Sequence, residues 1–393
     1  MINKKKYNKR YTVFIAFSIC MLVLGTSDSL RGIFSLVFQD YYRLTTTQLS
    51  FIVTISYVGN LIFLLCGGNL LDRFDKKYVF LGTLSVWMLG ALLFVKGNSY
   101  ILLLIGMFLC TGASTLLNTT MNILVPAVFA SASGLMVNLL FFIQGIGTSG
   151  AQSILGRFAD SMTYWKVVNI GLLGISLIAM ISMLYSTTPK IEKKKERISY
   201  IQIIKNPSFV FFVLIFGFYF IAEHGILNWF MLYGINGIGL EYKYASVLLS
   251  IFFGGITLGR LIFAPFVQKL GVQKSVRIFG LLGGCLYIIG IVGGTKTVLL
   301  LSGSGLLLSI LYPTLVLMIQ GYYEEHCIAS ATGTIISIAT CFDIFFNLIF
   351  GKVVDLLGMK QSFYILQISM LFFLGSLMVF CKKVKIEKSK SIR

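Results

Sequence analysis

Long apolar runs alternate with short polar stretches from one end of this chain to the other. Twelve runs can be marked, at roughly 12–38, 47–71, 78–96, 100–129, 133–158, 166–187, 208–235, 244–269, 275–295, 297–322, 328–352 and 360–381. A helix rises ~1.5 Å per residue and a bilayer's hydrocarbon core is ~30 Å thick, so each run is long enough to cross as a helix. A soluble core accounts for one or two such runs, not for twelve. The first run is too long, and has too many successors, to be a cleaved signal peptide. The one break in the pattern is Pro189 to Pro207, where Lys190, Lys193, Lys194, Lys195 and Arg197 are interrupted by Glu192 and Glu196. Such a stretch stays out of hydrocarbon and meets anionic lipid heads. The pattern predicts an all-α integral membrane protein with twelve transmembrane helices. A six-helix half at 1–188, a cytoplasmic basic linker at 189–207 and a second six-helix half at 208–393 make up the chain.

The two halves repeat one another. Asp28 and Glu223, each the lone acid of its run, stand 195 residues apart. Gly156-Arg157-Phe158-Ala159-Asp160 returns at nearly the same offset as Gly351-Lys352-Val353-Val354-Asp355, and the stretch Gly68 to Lys77 lines up with Ala264 to Gln273. Fused, related halves are a mark of secondary transporters. An acid at bilayer depth is expensive and usually faces a protein interior or an aqueous path.

Composition narrows the class. The chain is 57% hydrophobic and 12% charged, with a mean hydropathy of +0.88, which excludes a soluble globule of 393 residues. The net charge of +19 suggests nucleic acid until its positions are read. With the N-terminus inside, the cytoplasmic segments hold 23 of the 33 Lys and Arg and the outer loops hold eight, namely Arg43, Lys96, Arg157, Lys166, Lys243, Lys296, Lys352 and Lys360. That asymmetry is a topology signal and places both termini in the cytoplasm; no nucleic-acid partner is expected. Lysine exceeds arginine 24 to 9, a bias of AT-rich bacterial genomes. The seven cysteines lie mostly within runs, with no metal spacing and no paired pattern, and read as packing residues. No Gly-rich phosphate loop and no His-Glu-x-x-His occurs, so neither an ATP-driven pump nor a membrane-embedded enzyme is expected. No cofactor or metal is called for, and the working unit is expected to be a monomer in the cell membrane.

The loop between the second and third runs reads Gly68-Asn-Leu-Leu-Asp72-Arg73-Phe-Asp75-Lys76-Lys77. Its glycine permits close approach, an acid can cap or pair with a helix end, and the basic cluster pins the loop at the surface. The stretch resembles the loop 2–3 signature of the major facilitator superfamily, G-x-L-x-D-R-x-G-R-K, with Asp75 at its second glycine and Lys76 at its arginine. Twelve runs, two halves, a central basic loop and a degenerate second copy extend the likeness over the whole chain. The second half looks most like the fucose/galactose/glucose–proton symporter branch, through Glu223 with Trp229 and Tyr233, Phe252 to Arg260, and Tyr312-Pro313-Thr314. The first half departs from it, with Asn118 where that branch has an acid in span four, and with Asp28 four residues before the place of its span-one acid. The resemblance implies alternating access around a midplane site, with Gly68, Asp72, Arg73, Lys76 and Lys77 as a conformational gate.

The polar residues inside runs are the candidates for the path of solute and protons. Asp28 and Arg31 share a helical face, either as a bare structural ion pair or as a site. Glu223 has no cation at i±3 or i±4, so another helix or a proton must answer it; His224 adjoins it but points elsewhere. Asn228 lies on the same run. Trp229 and Tyr233 share a face and are either a platform for a sugar ring or ordinary core aromatics. Glu223 and Trp229 lie about 120° apart on an ideal helix, so lining one cavity requires a bend, which Gly225 could supply. Asn118 with Asn122, Gln144, and Asp343 with Asn347 can hold hydroxyls or join helices, and Arg260 can answer Glu223 or Asp343 or reach toward the inner surface. Uncharged amides and aromatics around one or two acids suit a small neutral, sugar-like solute taken up with protons. Proton-driven efflux of drugs or lipids is the alternative, favoured by the Phe-rich fifth and eleventh runs.

Overall fold

In the computed structural model every run is a helix, and no strand occurs among the described residues. Described are residues 2–189, 200–324 and 327–390, with the side chains of 2–10, 69, 72, 131, 200, 329 and 384–390 outside the description. The basic core of the expected linker, 190–199, and the side chain of Asp72 thus lie outside the described residues. Spans one to six are Tyr11–Ile33, Thr46–Gly68, Lys76–Lys96, Tyr100–Val128, Ser133–Phe158 and Met162–Leu184. Spans seven to twelve are Ser208–Gly237, Tyr242–Leu270, Val272–Val292, Val298–Gln320, Ser330–Leu357 and Met359–Lys383.

Local chemistry sets the ends of these helices. Thr45 and Gln48 form a reciprocal capping box at the start of span two, and Ser99 and Ser161 cap spans four and six. Single-residue connections at Gly271 and Gly358 join spans eight to nine and eleven to twelve with φ of 81° and 83°, a conformation that glycine alone adopts freely. The expected first run to residue 38 is interrupted at Phe34, where a separate helix Ser35–Tyr42 begins and the Ser35 hydroxyl takes the Gly32 carbonyl at 2.7 Å.

The chain divides into two units, 1–194 with 347–352 and 195–346 with 353–393. In the first, span one packs on spans five and six, span two on span four, and span three on spans four and six. The second repeats this plan: span seven packs on span twelve, span eight on span ten, and span nine on spans ten and twelve. Without a hydrophobic drive between helices in lipid, small residues bring backbones together. Gly59 in span two touches the backbone of Phe108, and Gly255 in span eight touches that of Leu306. Gly259, one turn after Gly255, also lies against span ten, at Leu306 and Ser309.

Candidate functional site

Each unit has its own polar centre. In the first, Asp28 and Arg31 of span one face span four. Ser114 Oγ donates to Asp28 Oδ2 at 3.1 Å, and Arg31 Nη1 donates to Thr111 Oγ1 at 3.2 Å. The guanidinium also lies over the ring of Tyr57 from span two, 5.3 Å from its centroid. Arg31 is only 6% exposed, and its Nε has no hydrogen-bond partner. Asn118, one turn past Ser114, is half-buried with its Oδ1 unpartnered, whereas Asn122 is exposed. The expected amide pair is thus split between an inward and an outward position. Four residues overshoot one helical turn by ~40°, enough here to carry Asn122 off the packed face.

Gln144 sits half-buried on span five, and its backbone is what matters to packing. A Cβ at Gly25 would collide with the Gln144 carbonyl, and one at Gly147 with the Leu22 carbonyl. At this contact Thr148 Oγ1 donates to the Gly25 carbonyl at 3.1 Å and Thr26 Oγ1 reaches the Gly147 carbonyl at 3.4 Å. Gly147 of span five therefore serves close packing against span one, whereas a Cβ at Gly150 would meet nothing within 4 Å.

The second unit is built around a break. Span ten consists of two helices, Val298–Leu308 and Leu311–Gln320, with Ser309 and Ile310 between them. Pro313 has no N–H, so the Ser309 carbonyl four residues earlier has no helical donor. Arg260 Nε of span eight points to that carbonyl at 3.4 Å, and the Tyr219 hydroxyl of span seven reaches the Leu308 carbonyl at 3.4 Å. Tyr219 also hydrogen bonds with the half-buried Glu223, one turn along its own helix, and the charge of Arg260 acts on Tyr219 and Tyr312. Arg260 and Glu223 thus both act on Tyr219, while the hydrogen bond of Arg260 goes to the Ser309 carbonyl.

The partner of Asp343 is His224. His224 Nδ1 lies 2.8 Å from Asp343 Oδ2, with Asp343 1% exposed and His224 28% exposed. Asn347, one turn on from Asp343, is buried as well, and Asn228 is buried with its Nδ2 on the His224 carbonyl at 2.8 Å. The sequence offered no pattern for the His224–Asp343 contact, because 119 residues separate its members. Ser114 and Thr111 were likewise missed; Ser114 had a signal, since Ser309 follows it at the 195-residue offset of the acids.

Trp229 and Tyr233 are fully buried, and Tyr233 stacks on Phe363 with centroids 3.8 Å apart and planes at 6°. Tyr233 thus packs on span twelve, and both rings are buried in this arrangement. The helix is not broken at Gly225, the residue that could supply a bend. Helix Ser208–Leu232 runs unbroken through it, a Cβ there would strike Leu366, and the departure from α geometry comes later, in the π turn Tyr233–Gly237.

At the loop between spans two and three, Asp75 caps span three by accepting from the Lys77 N–H at 2.8 Å. This gives a physical reason for an acid at the position of the signature's second glycine. Lys77 Nζ donates to the Leu184 and Ser186 carbonyls at 2.9 and 2.7 Å, a cation at the C-terminal end of span six. Lys76 is half-buried, while Gly68 and Arg73 are exposed, and a Cβ at Gly68 would meet nothing within 4 Å, so the close approach expected there is not made.

The family model of the Major Facilitator Superfamily matches residues 14–340. The chain belongs to this superfamily. It is a transporter with twelve helices long and apolar enough to cross a membrane. Among solved structures, this facilitator is similar to the E. coli fucose:proton symporter FucP, at 17% identity, TM-score 0.68, over 93% of this chain and 98% of that one. It is similar to a D-xylose–proton symporter at 13% identity, TM-score 0.75, over 94% and 96%. The nucleoside transporter NupG is similar at 13% identity, TM-score 0.70, over 95% and 98%. These likenesses speak to the fold. A probable metabolite transport protein of Saccharomyces cerevisiae is 28% identical over 140 residues, which are 34% of this chain and 28% of that relative.

Proposed function

We propose that this facilitator moves a small, neutral, sugar-like solute across the cell membrane by alternating access, coupled to protons, with Glu223 as the coupling acid. The observation that carries the reading is the surroundings of Glu223. The acid is half-buried, hydrogen-bonded to a phenol rather than held by a salt bridge among the described contacts, and close to Arg260 and a broken helix. Discontinuous helices near the midplane, with unwound carbonyls, are the usual setting of solute and coupling-ion sites in secondary transporters. A carboxyl there can pass between a proton and a cation as the helices rearrange. The fucose, xylose and nucleoside transporters of similar fold agree with a hydroxyl-rich solute.

Vesicles containing the protein test this directly, with uptake measured for a panel of sugars, nucleosides and drugs, with and without a proton gradient. Gradient-dependent accumulation of a sugar or nucleoside is expected. Extrusion of apolar cations or lipids alone would replace the reading with efflux. The charge asymmetry supports both termini and the 189–207 loop on the cytoplasmic side; outside labelling of Lys194→Cys in intact cells contradicts that topology. The loop bearing Asp72 is proposed to control the conformational cycle. Asp72→Asn should then slow net transport and leave solute affinity within a few fold, and a complete loss of equilibrium binding in the folded variant sinks the idea.

A further inference from the structure

We propose that His224 and Asp343 form a proton-binding site of their own, separate from Glu223, that ties span eleven to span seven. Asp343 is 1% exposed on a membrane helix, and the 2.8 Å contact from His224 Nδ1 is the ion pair recorded for it. A carboxylate so placed is costly unless answered by a cation and hydrogen bonds. Among basic side chains, histidine alone ordinarily gives up its charge between about pH 5 and 8. A lysine or arginine here would make a permanent link; histidine makes one that responds to protons.

The geometry assigns the two charge states. With the neutral imidazole protonated at Nδ1, that N–H donates to Asp343 Oδ2, and the pair carries one negative charge. One proton taken from water by Nε2 makes the imidazolium; Asp343 stays ionised, Nδ1 keeps its hydrogen bond, and the pair becomes neutral. Loss of the Nε2 proton reverses the step. His224 at 28% exposure offers the way in that Asp343 lacks. The ring is held in place by Phe220, which stacks on it with centroids 5.1 Å apart and planes at 28°.

Neighbouring helix positions are ~100° apart, so Glu223 and His224 look in different directions. Glu223 turns toward Tyr219 and into the surroundings of Tyr287, Tyr312 and Arg260, from spans nine, ten and eight. His224 turns toward Phe220 and, on span eleven, Asp343. Span twelve has no ionisable residue between Tyr364 and Cys381. The His224–Asp343 pair therefore stands apart from Glu223, though the two lie on adjacent residues. This inference requires neither the identity of the solute nor the role given to Glu223.

The chain has two histidines, His224 and His326, so His326→Gln leaves a single imidazole to observe. The full-length His326→Gln protein, labelled with 15N at histidine and set in lipid bilayers, is followed by solid-state NMR from about pH 4 to about pH 10, a window bracketing the ordinary histidine value. The imidazole should titrate, with its neutral form protonated at Nδ1. Added Asp343→Asn should lower its proton affinity tenfold or more, and added Glu223→Gln should change it by less than about threefold. Should the Asn variant not fold, Asp343→Glu serves instead, and the charge it keeps should hold the affinity within about threefold. A histidine that does not titrate, a neutral form protonated at Nε2, unchanged affinity in Asp343→Asn, a tenfold loss in Asp343→Glu, or an equal response to Glu223→Gln each overturns the proposal.

Discussion

Span four and span ten occupy the same place in their halves, yet only span ten is broken. The offset that relates Asp28 to Glu223 also relates Ser114 to Ser309 and Asn118 to Pro313. In the first unit the helix stays whole, and side chains meet side chains: Ser114 serves Asp28 and Thr111 serves Arg31. In the second, proline withdraws an N–H, a backbone carbonyl becomes the acceptor, and Arg260 takes it while Ser309 Oγ is left buried without a partner. The polar centre of one unit thus joins side chain to side chain on an intact helix, and that of the other joins a cation to the carbonyl of a broken one. The comparison teaches where coupling belongs. An acid held by a donor on an intact helix is suited to structure, and one beside a released carbonyl and an arginine is suited to change.

The largest expected difference between the units lies in transport. Glu223→Gln, which mimics the protonated acid, should abolish gradient-driven accumulation and leave downhill exchange, while Asp28→Asn should retain accumulation. Vesicle uptake with and without a proton gradient reads both, and the reverse pattern would move the coupling role to Asp28. Next comes the cost of a break. Asn118→Pro should destabilise the continuous span four by about 3 kcal/mol, whereas Pro313→Ala should cost well under that, because the Ser309 carbonyl regains a helical donor and only Arg260 loses its place. Thermal unfolding in detergent measures the two, and equal losses would mean that span ten is not relieved by its break. Smaller again is packing. Gly25→Ala meets the Gln144 backbone and should cost about 1–3 kcal/mol. Gly68→Ala meets open space and should gain about 0.5–1 kcal/mol. Similar melting shifts in these two variants would remove the argument that span one and span five are held by close glycine contact.

Much of this could be read from the chain before any fold. The apolar runs place twelve helices to within a few residues, and Gly255 with Gly259 announces its own interface. The site was less legible. Trp229 and Tyr233 carried a pattern that two roles could satisfy, and the fold adds their burial and the stacking of Tyr233 on Phe363. Asn118 and Asn122 were a pair by spacing alone, and the packing of span four separates them. Gly68 looked like a close contact in its motif and meets open space, while Asp75, a departure from that motif, caps a helix.

By itself the sequence determined the helices, their number, the duplication and the family, because each is written in local hydropathy and in a repeat along one chain. The tertiary structure alone decided that Asp343 meets His224, that Arg260 goes to the Ser309 carbonyl, and that Arg31 goes to Thr111 and Tyr57. These partners lie 26 to 119 residues apart, each on a different span. Hydropathy says that a buried charge must be answered; only the packing of helices on one another says which neighbour answers it.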